Sequence, residues 1–382
     1  MKYDFDTPVV RRGSGSIKWD LAKDNELPMW VADMDFKAPE PVINALKKRV
    51  EHGVFGYTDV SDGFKNAYIN WWSSRHGVTY SPDDIIFATG VVPIISSCVR
   101  KLTTPAENVA MLTPVYNIFF NCVRNNGRNI LEVPLAEKNG DRLIPWDALE
   151  SAFSDPQTTL FLLCNPHNPV GKIWDKETLS RIGKMAKAYG VTVISDEIHC
   201  DLTDPGKEYI PFASVSEECR ENCVVCVAPT KTFNLAGIQT AAAIVPDKKL
   251  RHKVRRALNT DEVAEPNVFA ALAAQVAFDE CGGWLDELRE YIYGNKELVR
   301  EFLEKNIPEL KLGVSEATYL LWIDCRAWGL DSPAKAIREK TGLFLSEGSV
   351  YGSGGKGFVR MNVACPRSTV EEGLRRLKAF KE

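Results

Sequence analysis

Between residues 84 and 246 the chain repeats one pattern seven times: a short apolar run followed, in most intervals, by a stretch with helical spacing. The runs are DIIFATG (84–90), NVAMLTP (108–114), NILEVPL (129–135), TTLFLLCNP (158–166), VTVISDE (191–197), VVCVAP (224–229) and TAAAIVP (240–246). They are continuously hydrophobic rather than alternating, as strands buried on both faces are. Amphipathic stretches such as DKETLSRIGKMAKAYG, closed by Gly190, supply covering helices. The expected fold class is therefore α/β, three layers built on a mostly parallel sheet. Ligands of such sheets bind outside the carboxyl ends of the strands, so the residues that follow each run carry the functional information.

The flanks read differently. Residues 1–38 are irregular and dotted with aromatics, and Trp30, Asp33 and Asp35 either line a site entrance or pack an N-terminal arm. PEPVINALKKRVEHG and FKNAYINWWSSRHG read as helices with glycine stops, separated by the loop VFGYTDVSDG that carries Tyr57. After Pro266 come two or three helices, then LKLGVSE, YLLWIDCR, an SPAKAIREKTG helix, the strand FVRMNVA and a last helix, STVEEGLRRLKAF. The expected division is a large α/β domain over 39–280 and a smaller α+β domain over 281–382, completed by 1–38. KKLRHKVRR at 248–256 reads as a solvated helix face, and GSGGKG at 352–357 as a mobile hairpin, because Gly357 stands where a phosphate loop has Ser or Thr.

Composition narrows the partners. The 382 residues are 45% hydrophobic and 26% charged with a net charge of −4, which gives no reason to expect nucleic acid or an anionic membrane. No run approaches the roughly 20 apolar residues of a bilayer span and the N-terminus lacks a signal-type apolar stretch, so a cytoplasmic protein is expected. Ten cysteines in such a chain read as reduced thiols. Cys223 and Cys226, three apart on a strand, point to opposite faces, and the five histidines form no ligand cluster, so no metal is expected.

Five strand ends carry chemistry. In VVCVAPTKTFNLAG, Lys231 follows a buried strand, where partial desolvation lowers an amine's pKa. In VTVISDEIHC, Asp196 ends another and needs a cationic or hydrogen-bonding partner. CNPHNPVG places the Asn168 amide in the crevice. In ATGVV, Gly90 precedes a helix whose Val91 and Val92 amides suit a phosphate. In TPVYNIFF, Tyr116 can stack on a flat ring. Each has an ordinary structural explanation, as a cap, a turn or packing. Together they supply an amine for a Schiff base, a carboxylate for a pyridinium, an amide for a phenolic oxygen, an anion site and a stacking ring, which is the inventory of a pyridoxal phosphate site.

With ATGVV, PVYNIFF, CNPHNPVG, SDEIHCDL, APTKTFNLAGIQ and VRMNVACPR in this order, the chain resembles the fold-type I pyridoxal phosphate enzymes, and more narrowly the cystathionine β-lyase-like C–S lyases. The resemblance implies the three-layer fold of that group and pyridoxal 5′-phosphate as cofactor. It implies Lys231 as the catalytic lysine that bonds the cofactor, Asp196 at the ring nitrogen, Asn168 at the 3-oxygen, Tyr116 on the ring, and Gly90, Val91, Val92 and Thr230 at the phosphate. Tyr57 is expected to reach the site of the other subunit in a homodimer, and Arg360 to hold the carboxylate of a small amino-acid substrate. His199 and Gln239 stand where transaminating relatives have Tyr and Arg, and Ala228 where they often have Ser, which leaves Thr230, Tyr57 and the helix end to carry more of the phosphate. The expected reaction is β-elimination from an L-cysteine S-conjugate; the alternatives are transamination and a regulatory role through protein contact.

Overall fold

Seven strands form the central sheet of the computed structural model, which describes residues 2–381: β1 Ile85–Ala88, β2 Asn108–Thr113, β3 Asn129–Pro134, β4 Thr158–Cys164, β5 Thr192–Asp196, β6 Cys223–Val227 and β7 Ala241–Ile244. Each lies within one of the seven apolar runs, except that β6 begins one residue before its run, at Cys223. Their order is β1-β7-β6-β5-β4-β2-β3, all pairings parallel except those of β7, which runs against β1 and β6. Burial on both faces explains the unbroken apolarity: Cys223, Val225 and Val227 enter one core, Val224 and Cys226 the other. The two cysteines of the CxxC thus face apart, and all ten thiols are free and buried.

Helices cover both sides, among them α1 Glu40–Glu51, α2 Asp62–His76, α3 Val91–Leu102, α4 Lys176–Tyr189, α5 Lys248–Thr260 and α6 Ala270–Glu280. Helix α4 starts on Asp175, which accepts from the Thr178 amide, and stops at Gly190, whose φ of 72° is left-handed and favours glycine. Helix α5 is the basic run; it buries Val254, Ala257 and Leu258 and leaves most of its charges in water, but Arg251 turns inward to Asp84 and the Val245 and Pro246 carbonyls.

The 25-residue α7, Gly282–Asn306, leads into an antiparallel sheet of β8 Lys311–Leu312, β9 Leu320–Asp324, β10 Ser346–Glu347 and β11 Phe358–Asn362, in the order β8-β9-β11-β10. Helices α8 Pro333–Thr341 and α9 Arg367–Lys381 complete this part. The N-terminal arm joins it by pairing Leu27 and Pro28 with Leu343 and Phe344. GSGGKG is a buttressed turn rather than a free hairpin. A Cβ on Gly355 would lie 2.1 Å from the Gly348 carbonyl oxygen, and Ser353 donates its amide to Glu132 at 2.7 Å. Among the described residues no helix is long and apolar enough to cross a membrane.

Candidate active site

Strand ends β4, β5 and β6, the start of α3 and the loop after β2 surround an inner cavity of about 180 Å³. Its lining includes Gly90, Val91, Val92, Tyr116, Asn168, Asp196, His199, Thr230, Lys231 and Gln239, so the fold gathers the strand-end residues singled out from the sequence. Ala32, Tyr116 and Lys231 also border an outer cavity of about 720 Å³, which Arg360 lines as well. Tyr57 is wholly exposed in the loop between α1 and α2 and lines neither cavity of its own chain.

Lys231 belongs to a single helical turn, Pro229–Thr232, rather than to the loop its neighbours suggest; Pro229 fits the first helical position. Its Nζ donates to the Ala32 carbonyl at 2.5 Å, an acceptor shared with the Tyr319 hydroxyl at 2.9 Å. Burial first, and then the Arg360 charge, bring its pKa down to about 8, against the pull of Asp33 and Asp196. An amine that is part neutral near neutral pH can act as nucleophile and base.

Asp196 is 4% exposed and accepts the Ile198 amide at 3.1 Å. Burial raises its carboxyl to about 7, so it is a charge that awaits a cation. His199, 3% exposed, has no partner at Nδ1, and burial together with Lys231 and Arg360 lowers it to about 3, which keeps the imidazole neutral. Tyr116 is pushed up to about 12 by burial and stays a phenol, its ring edge-on to Phe119. At the start of α3 the Val91 and Val92 amides precede Pro93, which has no N–H, so this helix end offers two donors in its first turn.

Arg360, on β11, gives Nη1 to Asn168 Oδ1 at 3.1 Å and Nη2 to the Trp30 carbonyl at 2.9 Å, and lies over Tyr351 at 4.9 Å. Its buried Nε has no partner. Because Asn168 Oδ1 is engaged by the guanidinium, its amide N–H₂ remains to serve the cavity.

The segment 30–36 was the ambiguous stretch of the sequence, and it divides. Trp30 lines the outer cavity, whereas Asp33 and Asp35 bind Arg11 at 2.6 Å each and Asp35 also binds Lys18 at 2.7 Å, which anchors the arm. Asn234, three residues after the lysine, bonds the Met34 amide and the Met34 and Phe36 carbonyls. Asn362, two residues after Arg360, donates to the Val31 and Asp33 carbonyls, each at 2.6 Å. Sequence reasoning missed Ala32 and Tyr319; a backbone carbonyl leaves no residue signal, and the Tyr319 contact spans 287 positions.

Among the described residues one group, His76, Cys200 and Asp201, brings metal-type donors within 4.8 Å. Asp201 already accepts from Trp71 at 2.9 Å and Thr232 at 3.0 Å and pairs with His76 at 2.9 Å. It is a hydrogen-bonded hub that ties Thr232, beside the lysine, to α2.

The cradle fits a flat, phosphorylated pyridinium: a buried carboxylate without a cation, an orphaned imidazole nitrogen, a stacking phenol and a helix end surround an amine. The profile of the aminotransferase class I and II family matches residues 28–377. The chain is 43% identical to the cystathionine beta-lyase PatB of Bacillus subtilis over 98% of its own length and 99% of that protein. Its fold is similar to cystalysin from Treponema denticola, whose structure contains pyridoxal 5′-phosphate, with a TM-score of 0.96, 37% identity, and 100% and 99% of the two chains covered. It is also similar to the pyridoxal phosphate-bound C–S lyase of Staphylococcus hominis, with a TM-score of 0.94, 29% identity, and 100% and 98% covered. With a profile that spans nearly all of its length, the chain belongs to the class I and II aminotransferase family.

Proposed function

We propose that this protein carries out β-elimination on an L-cysteine S-conjugate such as cystathionine, with water consumed and a thiol, pyruvate and ammonia released. The chain is a carbon–sulfur lyase and its cofactor is pyridoxal 5′-phosphate. The observation that carries the reading is the convergence of Lys231, Asp196 and Arg360 on two adjoining cavities, with the amine's pKa near 8.

When bound, the cofactor supplies an electron sink for the charge left at the substrate's Cα. The protein's residues do the rest. Asp196 faces the ring nitrogen, and an adjacent cation would draw its raised pKa back down. The free N–H₂ of Asn168 serves the ring oxygen, and Tyr116 covers the ring. Arg360, which lines the outer cavity, receives the substrate carboxylate, a task for a planar guanidinium. Lys231 Nζ takes the Cα proton as general base. The Val91 and Val92 amides and the Thr230 hydroxyl meet the phosphate; among the described residues Lys231 is the one cationic side chain along the inner cavity. We therefore assign Tyr57 to the phosphate of a second copy in a homodimer. Its exposure, and that of Val54 and Phe55 beside it, supports this. We further propose a large domain over 39–280, a small one formed by 1–38 with 281–382, and a cytoplasmic location.

A panel of cysteine S-conjugates assayed for pyruvate and free thiol tests the reading. Equimolar release of both is expected. Transamination shares every event up to removal of the Cα proton, and conversion of the cofactor to its amine form without thiol release would favour it.

A further inference from the structure

The outer cavity determines what can be attached to the sulfur. Much of its wall is apolar: Trp30 and Phe344 stack with centroids 4.7 Å apart and planes 9° apart, and Ile17, Ile118 and Val350 border the same space, beside the polar Asn117, Ser332 and Ser346. Ile17 and Val350, both large and apolar, are exposed there in the single chain. Beyond Lys231 and Arg360, the charges around the cavity are mostly engaged or turned away from it. Arg338 lies on the Phe344 ring at 3.4 Å and gives Nε and Nη2 to Glu26 at 2.8 and 2.7 Å. Glu347 accepts the Ala334 amide at 3.1 Å on Oε2, while its Oε1, which has no hydrogen-bond partner, is buried away from solvent. Lys335 remains, on the exposed rim, and meets only Glu339 at 3.9 Å.

A substituent ending in an ammonium and a carboxylate would have to strip water from both groups, and the lining carboxylate, Glu347, keeps its free oxygen buried away from the first. An aromatic or branched alkyl substituent would instead exchange water for the Trp30 and Phe344 faces. We infer that the enzyme selects cysteine S-conjugates with apolar, preferably aromatic, S-substituents over those with a second amino-acid head such as cystathionine. The inference rests on the carbon–sulfur lyase reading for its choice of substrate, but the cavity can be tested apart from turnover.

Carbon isosteres in which CH₂ replaces sulfur cannot release a thiol. Titration calorimetry of the holoenzyme with L-2-amino-5-phenylpentanoate, the isostere of S-benzylcysteine, and with 2,7-diaminosuberate, the isostere of cystathionine, reads the preference directly. The phenyl compound should bind at least about tenfold more tightly, and Phe344→Ala or Trp30→Ala should cut that ratio to within a few fold. Phe344→Leu, which keeps apolar volume but loses the stack, serves if alanine does not fold. Equal or tighter binding of the diaminosuberate, or a ratio unmoved by the substitutions, would overturn the inference. Absence of pyruvate from S-benzylcysteine, S-methylcysteine and cystathionine alike would instead overturn the lyase reading, and the titrations would still report on the cavity.

Discussion

Truncation of Arg360 to alanine separates the roles assigned around it. The guanidinium holds Asn168 Oδ1 and the Trp30 carbonyl and lines the outer cavity proposed for the substrate. A charge-assisted hydrogen bond to a carboxylate contributes about 1.5–3 kcal/mol. At 1.36 kcal/mol per factor of ten, its loss lowers kcat/KM by at least about tenfold to a hundredfold. The variant also leaves two acceptors without their donor, at about 1–3 kcal/mol for each that stays dry, so the melting temperature falls as well. No direct cofactor contact is assigned to Arg360, so the cofactor should stay bound, while its visible spectrum should titrate at a different pH because the Asn168 amide loses its partner and Lys231 a neighbouring charge. Arg360→Lys restores the charge with one donor head; it should recover part of the stability and little of kcat/KM. Pyruvate release measured beside thermal unfolding gives both quantities. A lowered melting temperature with unchanged kcat/KM would remove Arg360 from the substrate site and leave it a structural residue.

Lys231→Ala should abolish pyruvate release and the covalent cofactor attachment that borohydride makes permanent; mass mapping of the cofactor to another lysine would end the reading. Asp196→Asn should retain cofactor yet lose at least about tenfold in kcat, and wild-type turnover would refute the assignment to the ring nitrogen. In the cofactor-free protein, Asp196 binds a proton in the folded state up to about pH 7 but only to about pH 4 when unfolded. It therefore contributes stability below pH 4 that is lost as pH rises to 7, and Asp196→Asn should flatten that slope in denaturant titrations at stepped pH. Finally, if Tyr57 serves the neighbouring subunit, inactive Tyr57→Ala and Lys231→Ala proteins, unfolded and refolded together, should regain up to about a quarter of wild-type activity, since half of the chains pair as mixed dimers with one intact site. No recovery, with mixed dimers shown to form, would place Tyr57 outside a shared site.

What the sequence made legible is what depends on local pattern. The seven apolar runs locate the seven strands because both faces of the sheet are buried, and the residues just past β2, β4, β5 and β6 meet because parallel strands share one carboxyl edge. Contacts that cross between distant segments left no such trace. The pairing of 27–28 with 343–344, the Ala32 carbonyl under Lys231, and the grip of Asn234 and Asn362 on 30–36 join residues about 200 to 330 positions apart. Asp33 and Asp35 show the limit best. Acidic residues near a site and acidic residues that tie down an arm look the same until Arg11 and Lys18 are found beside them.

The two asparagines that clasp 30–36 set a common reference for chemistry drawn from two sheets. One follows the lysine to which we assign the proton; the other follows the arginine to which we assign the carboxylate. Both are fastened to the backbone of one short span. The separation of base and anchor is thus gauged along seven residues of main chain, and does not have to be summed through the packing of two cores. Core substitutions that shift either sheet should leave that separation intact as long as the two amides keep their grip. Loss of either amide would let proton acceptor and carboxylate clamp drift apart while every residue that touches the substrate remained in place.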